Sequence, residues 1–383
     1  MSAAFALFAD AGERVRATSS TLKKATELAE LLRALDDDDL AIAVRLFAGN
    51  PFPLADERVL GIGWSAIVGI LVERSGATDD ELGASYQRHA DLGDVTQDIL
   101  AAHGHLAEPP PLTLRDLADA FERIATARGA QKREVLDALI RRATPTEAKY
   151  LVKIVTGEMR IGLRQGLLED AIARATGASR ADVSRAAMLT GDVGETAVRA
   201  RRGTLAETGL RLFHPLGWML ATPVLELEEV AKRFPPPYLV EDKYDGVRVQ
   251  AHKEGDRVEI YSRTLDVVTH RFPEVIEPLR AIPGSFVLDA EVLGWRGGRA
   301  IPFTQFQRRL GRKVVDEELV RDLPAALFAF DLLARNGAVL LDEPLAERRQ
   351  HLQTLAFSSP VYLSRSEMVE TGAAELPARL DRL

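Results

Sequence analysis

The chain has 383 residues, 46% apolar and 28% charged, an ordinary balance for folded domains and long enough for two or three of them. It contains no cysteine, which excludes disulfides, a thiolate zinc site and a cysteine nucleophile. The formal net charge of −8 argues against a uniformly basic nucleic-acid binder, although residues 141–211 hold 13 basic against 8 acidic side chains and could steer a polyanion locally.

The N-terminal MSAAFALFADAGERVR lacks the basic start and sustained apolar stretch of a secretory signal. The densest apolar run, AIVGILV at 66–72, is too short to span a bilayer. A cytoplasmic protein without a membrane partner is expected. Ser19 and Ser20 are good helix caps, and the following TLKKATELAELLRAL puts Leu22, Ala25, Leu28, Leu32 and Leu35 on roughly one face. The aspartates at 36–39 read as a solvated helix start rather than a metal site, with Gly49 and Pro51 ending that helix. TDDELGASYQRHADLG and LTLRDLADAFERIATARG repeat the pattern of polar cap and spaced apolar residues. Pro109 to Pro111 form a stiff connector, after which QKREVLDALIRRA and TPTEAKYLVKIVTGEMRIGL predict two more helices, the second closed by glycines.

Beyond Pro215 the period changes. Short alternating runs appear in YLVEDKYDGVRVQAHK, DRVEIYSR, SFVLDAEVLGW and AALFAFDLLA, punctuated by turn signals at Gly255-Asp256 and Gly297-Gly298. Helical patterns intervene at FPEVIEPLRAI and PLAERRQHLQTLA. The expected organisation is an all-α domain over 1–212 and an α+β domain of antiparallel strands over 213–383.

The stretch EDKYDGVR (241–248) carries the chemistry. Lys243 sits between carboxylates at a strand-to-turn boundary, with Gly246 allowing a tight turn. A lysine attacks only when neutral, which requires desolvation or nearby cations. Arg248 and Lys253 are candidates for that positive field and for holding phosphate oxygens. Asp245 is placed to orient the lysine or move its proton. In FVLDAEVLGW, Val287, Asp289 and Glu291 share one face, and Phe286, Leu288, Ala290 and Val292 form the apolar one.

EDKYDGVR resembles the nucleotidyltransferase motif of ATP-dependent DNA ligases, and further matches follow in that family's order: YSRTLDVVT, FVLDAEVLGW, IPFTQFQRRLGRK, LFAFDLL and EPLAERRQHL. Upstream, FHPLGWMLATP is similar to the lead-in to the catalytic domain, and VTGEMRIGLRQGLLEDAIARA to a segment of the DNA-binding domain in the larger cellular and archaeal-type enzymes. The resemblance implies an N-terminal DNA-binding domain followed by a nucleotidyltransferase (adenylation) domain. It implies ATP as the source of an AMP carried covalently on Lys243, with Asp245 as its partner. It further implies nucleotide contacts from Glu241 (adenine), Arg248 and Arg263 (ribose and phosphate), Glu291 (ribose or Mg²⁺) and Phe330 (stacking on the base). Nicked duplex DNA is the implied partner, met near Arg160, Gly162 and Arg164, where arginines neutralise phosphates and glycine lets the main chain approach. Repair, replication and recombination are the implied settings.

The family pattern next requires a second acidic motif, a K-x-K motif and an OB-fold domain, and VETGAAELPARLDRL stops where the acidic motif belongs. An incomplete ligase of impaired activity, needing a missing OB-fold segment, is therefore expected. The alternatives are a non-catalytic nicked-DNA-binding fragment and an RNA ligase or capping-type nucleotidyltransferase. The long helical N-terminal region weighs against the last.

Overall fold

The computed structural model describes residues 2–53, 56, 58–217, 221–224, 226, 228–233, 235–312 and 314–370. Trp218 to Leu220 of the lead-in, Lys313 and most of VETGAAELPARLDRL lie outside the described residues. The chain divides into two compact units between Thr208 and Gly209, a few residues before the expected boundary at 212. No described helix is long and apolar enough to cross a membrane.

Twelve α-helices among the described residues build the first unit, from Phe5–Arg16 to Val193–Arg202. Local sequence explains their starts: Ser20 caps Thr21–Ala34 by accepting from the Lys23 N–H, and Asp36 caps Asp37–Phe47 from the Asp39 N–H. Their buried faces meet around Phe8, whose ring stacks on Phe47 at 4.0 Å and meets Tyr150 edge-on at 6.1 Å. Two expectations need correction. Leu22, in the first turn, is exposed rather than on the buried face. Asp39 is buried and accepts from Ser2 Oγ (2.7 Å) and the Ala3 N–H (2.6 Å), so one member of the acidic run anchors the N-terminus instead of facing water.

The second unit is α+β. Its strands are β1 (Tyr238–Glu241), β2 (Val247–Glu254), β3 (Arg257–Ser262), β4 (Phe286–Arg296), β5 (Arg299–Ala300), β6 (Ala325–Arg335), β7 (Ala338–Val339), β8 (Val361–Leu363) and β9 (Ser366–Val369). A seven-stranded sheet runs β3-β2-β4-β6-β7, with β5 on β4 and β8 on β6, and a separate ribbon pairs β1 with β9. All described pairings are antiparallel except β6 with β8, which is parallel. The period-2 pattern decides which side is covered. Phe286, Leu288, Ala290 and Val292 of β4 pack with Val249 and Ala251 of β2 and Leu327 and Ala329 of β6. Phe306, Val275, Leu279 and Leu352, from helices Phe303–Leu310, Pro273–Ala281 and Leu345–Gln353, close that core. Arg309, fully buried, ties this layer together: it donates to both Glu274 oxygens at 2.6 Å and to the Arg271 and Leu323 carbonyls.

The lead-in lies on the sheet through Gln250 and His252. Gln250 exchanges two bonds with the Leu216 backbone (2.9 and 2.7 Å), and the Phe213 N–H donates to His252 Nδ1 at 3.0 Å. Burial pushes His252 down to about 3, so it stays neutral and able to accept.

Candidate active site

The ribbon strand β1 ends at Glu241, and the loop 242–246 carries Lys243 and Asp245 to the start of β2. Gly246 is what lets this loop press against the main sheet. Its N–H donates to Glu291 Oε1 at 3.1 Å, and a Cβ there would collide with the Val292 carbonyl. The loop is also tied to the connection between β8 and β9: the Arg365 N–H donates to Tyr244 Oη at 3.1 Å, and the Tyr244 ring stacks on Phe328 at 4.7 Å. Lys243 and Asp245 are both exposed, and the charge of Lys243 is near enough to Glu291 to favour its ionised form.

Cross-strand register gathers the remaining groups on the face opposite that core. Arg248 of β2 is opposite Glu291 of β4, which is opposite Phe328 of β6, and in the next row Gln250, Asp289 and Asp331 align. Register shifts between Val287 and Leu288 and between Asp289 and Ala290 re-aim the β4–β6 pairing here, as bulges beside functional sites do. Arg248 does not stand free. Its guanidinium grips both Asp289 oxygens (3.1 and 2.6 Å) and lies 5.6 Å over the Phe330 ring. Asp289 is thus the brace of Arg248. Arg263 is exposed in the turn after β3, and the pairing of Ser262 with Val249 brings that turn beside Arg248.

Burial sets the electrostatics. Glu291 is pushed up to about 7, mainly by desolvation, against the pull of the Gly246 N–H and Arg248. Asp289 is pushed up to about 6 by its own burial, even with Arg248 bound. Glu241 is also raised by desolvation, and its buried Oε1 has no hydrogen-bond partner; the cation facing it, Arg349 Nη1, is 3.6 Å away. Arg349 in turn is lowered by burial. Both shifts oppose ionisation, because a contact too long for a hydrogen bond does not offset the desolvation of either partner.

Lys253 is not part of this site. It is buried, with Nζ donating to the Ile282 and Gly284 carbonyls at 2.6 and 2.7 Å. Five positions along a period-2 strand put it on the face opposite Arg248, so it supplies no field at Lys243. Among the described residues no three His, Cys, Asp or Glu side chains converge as a metal cage. Glu291 offers carboxylate oxygen for a cation that keeps waters and phosphate ligands, the usual habit of Mg²⁺.

In the first unit, Arg160 (φ +46°) and Gly162 (φ +67°) form an exposed turn before helix Gln165–Thr176, and Arg164 is its N-cap residue, positioned in the same stretch. Buried Lys24 donates to the Ile161 carbonyl at 2.6 Å, fixing the turn from beneath. Arg160 pairs with Glu158 (2.6 Å) and the Ala90 carbonyl (2.8 Å). The positive window noted in the sequence is weaker at the surface than its sum implies. Lys149 and Lys153 are buried against Glu13, Asp91 and Asp94, and Arg201 and Arg202 pair with Asp37.

Residues 4–173 match the family model described as DNA ligase N terminus, and residues 218–378 that of the ATP dependent DNA ligase domain. A "Probable DNA ligase" of Koribacter versatilis is 43% identical over 89% of this chain and 59% of its own length. One from Opitutus terrae is 37% identical over 97% of this chain and 43% of its own. The "DNA ligase" of Archaeoglobus fulgidus is 35% identical over 98% of this chain and 69% of its own. The chain therefore spans about half of the first two relatives and just over two thirds of the third. A solved structure titled "Pmar-Lig_Pre." aligns with a TM-score of 0.51 at 14% identity, over 98% of this chain and 70% of that one, a likeness of fold.

Proposed function

The chain belongs to the ATP-dependent DNA ligase family, and from that premise we propose that it adenylates itself on Lys243 and passes the AMP to a nick in duplex DNA. The observation that carries this reading is the meeting of the Lys243 loop with Glu291 through Gly246, on the same face as Arg248 and Phe330. In the first step Lys243 Nζ, having given up its proton with Asp245 as the candidate acceptor, attacks the α-phosphorus of ATP. The N–P bond forms as the bond to pyrophosphate breaks. The 5′-phosphate of the nick then displaces Lys243 from the AMP phosphorus. Finally the 3′-hydroxyl attacks the activated 5′-phosphorus and AMP leaves.

The chain's own groups divide the remaining work. Phe330 offers a ring for the base, and the Glu241 carboxylate, with its side chain 31% exposed, offers an acceptor for an amine. Arg248, held in one orientation by Asp289, and exposed Arg263 offer donors for ribose and phosphate. Mg²⁺, with Glu291 as its protein ligand, would offset negative charge on the phosphates. In the first unit, the turn at Arg160, Gly162 and Arg164 is our candidate for contact with the DNA backbone, supported by its accessibility and its two arginines.

The test is to incubate the chain with Mg²⁺ and α-labelled ATP and map covalent AMP by peptide mass spectrometry. Label is expected on Lys243 and absent from Lys243→Ala. Label retained in that variant would refute the assignment of the nucleophile. Nicked-DNA binding with no label in either would favour a non-catalytic binding role.

A further inference from the structure

Glu241 and Phe330 belong to different sheets. The β1–β9 ribbon carries Glu241 and leads into Lys243, while the seven-stranded sheet carries Phe330, and no described strand ladder joins the two. Arg349, on helix Leu345–Gln353 and 4% exposed, bridges them. Its Nη1 donates to the Phe330 carbonyl (3.2 Å) and to Ser364 Oγ (2.8 Å), and its Nη2 donates to the Ser364 carbonyl. The same Nη1 faces the buried Glu241 Oε1 at 3.6 Å, so the cation stands behind a carboxylate whose side chain is 31% exposed. Ser364 is itself fixed to β6 by its N–H on the Ala329 carbonyl at 2.8 Å.

We propose that Arg349 is a positioning residue that sets purine selectivity, holding the Glu241 carboxylate at a fixed place relative to the Phe330 ring. The inference rests on the nucleotide reading above. A carboxylate in that place accepts from an amine at the purine 6-position, whereas a 6-carbonyl meets it lone pair to lone pair and is rejected. Without Arg349 the carboxyl loses the cation that faces it and its link to Phe330. It then turns away or takes up a proton, and a protonated carboxyl donates to a 6-carbonyl as readily as it accepts from an amine. Neighbouring Arg348 offers a control. It grips both Asp331 oxygens (2.9 and 2.8 Å) rather than Glu241.

The experiment is equilibrium dialysis of the full chain with ATP and with GTP, in EDTA so that binding is read without transfer. Wild type is expected to prefer ATP. Arg349→Gln should reduce the ATP-to-GTP affinity ratio by about tenfold or more, through weaker ATP binding and unchanged or tighter GTP binding. Arg348→Gln, which breaks a half-buried bidentate pair on the same helix, should weaken both nucleotides together and keep the ratio. A ratio in Arg349→Gln within about twofold of wild type overturns the proposal. If that variant does not fold, Arg349→Lys, which keeps the charge and one donor, decides by the same ratio: a partial loss supports the proposal and an unchanged ratio overturns it. Failure of the wild-type chain to bind either nucleotide overturns the underlying reading, and is recognised without any variant.

Discussion

Glu291→Gln should make the second unit more stable at pH 8 while abolishing its adenylation. Burial lifts the Glu291 carboxyl to about 7 from an ordinary 4.5. Between those two values the folded chain keeps a proton that the unfolded chain has released, so stability falls as pH rises through that window and the full penalty stands above about 7. At about 1.4 kcal/mol per tenfold, the gap corresponds to roughly 3 kcal/mol. Solvent screening of a half-buried group leaves about 1–2 kcal/mol. Glutamine keeps the oxygen that accepts from Gly246 but carries no charge. Repulsion from Asp289 is one of the causes already counted in that shift. The assay is urea denaturation in EDTA at pH 4 and pH 8, followed by the fluorescence of Trp295, which packs edge-on against Phe328 at 5.0 Å. The variant should match wild type at pH 4 and have the higher midpoint at pH 8. A midpoint difference that is the same at both pH values, or a less stable variant at pH 8, would refute the reasoning.

Arg309→Met should lower stability by about 3–5 kcal/mol, because the half-buried Glu274 would lose its fully buried cation; thermal denaturation of the second unit measures it, and a loss under about 1 kcal/mol would mean that the layer repacks around an apolar side chain. Arg160→Ala with Arg164→Ala should weaken nicked-DNA binding without altering ATP labelling. It should also reduce the slope of log affinity against log salt by about 2, one for each phosphate that an arginine no longer neutralises. An unchanged slope in a filter-binding titration would remove that turn from the DNA interface.

The helices and strands were legible because each carries its own signal. The caps at Ser20 and Asp36 and the alternation Phe286, Leu288, Ala290, Val292 need no knowledge of the rest of the chain. The apolar core face of β4 followed from that alternation, and with it the placement of Asp289 and Glu291 on the opposite face. The ordered motifs likewise led from residues 241–248 to the family. Other features depend on partners distant in the chain, and no local pattern encodes those. Lys253 and Arg248 look alike as nearby cations, but strand period and the carbonyls of Ile282 and Gly284 bury the first, while Asp289, 41 positions away, claims the second. The positive sum over 141–211 could not separate the accessible Arg164 from Lys149 and Lys153, which turn inward to carboxylates of other helices. Arg309 and Arg349 stood in motifs as two arginines among many. One became the buried tie of a core and the other the bridge between two sheets only when helix and strand were brought together. By itself the sequence determined where the capped helices and the alternating strands lie and which family the chain belongs to, because those are matters of period, capping and motif. Which charges meet, which are buried and which are left with an unmet oxygen was decided by the tertiary structure, because desolvation and pairing exist only between surfaces that folding has brought into contact.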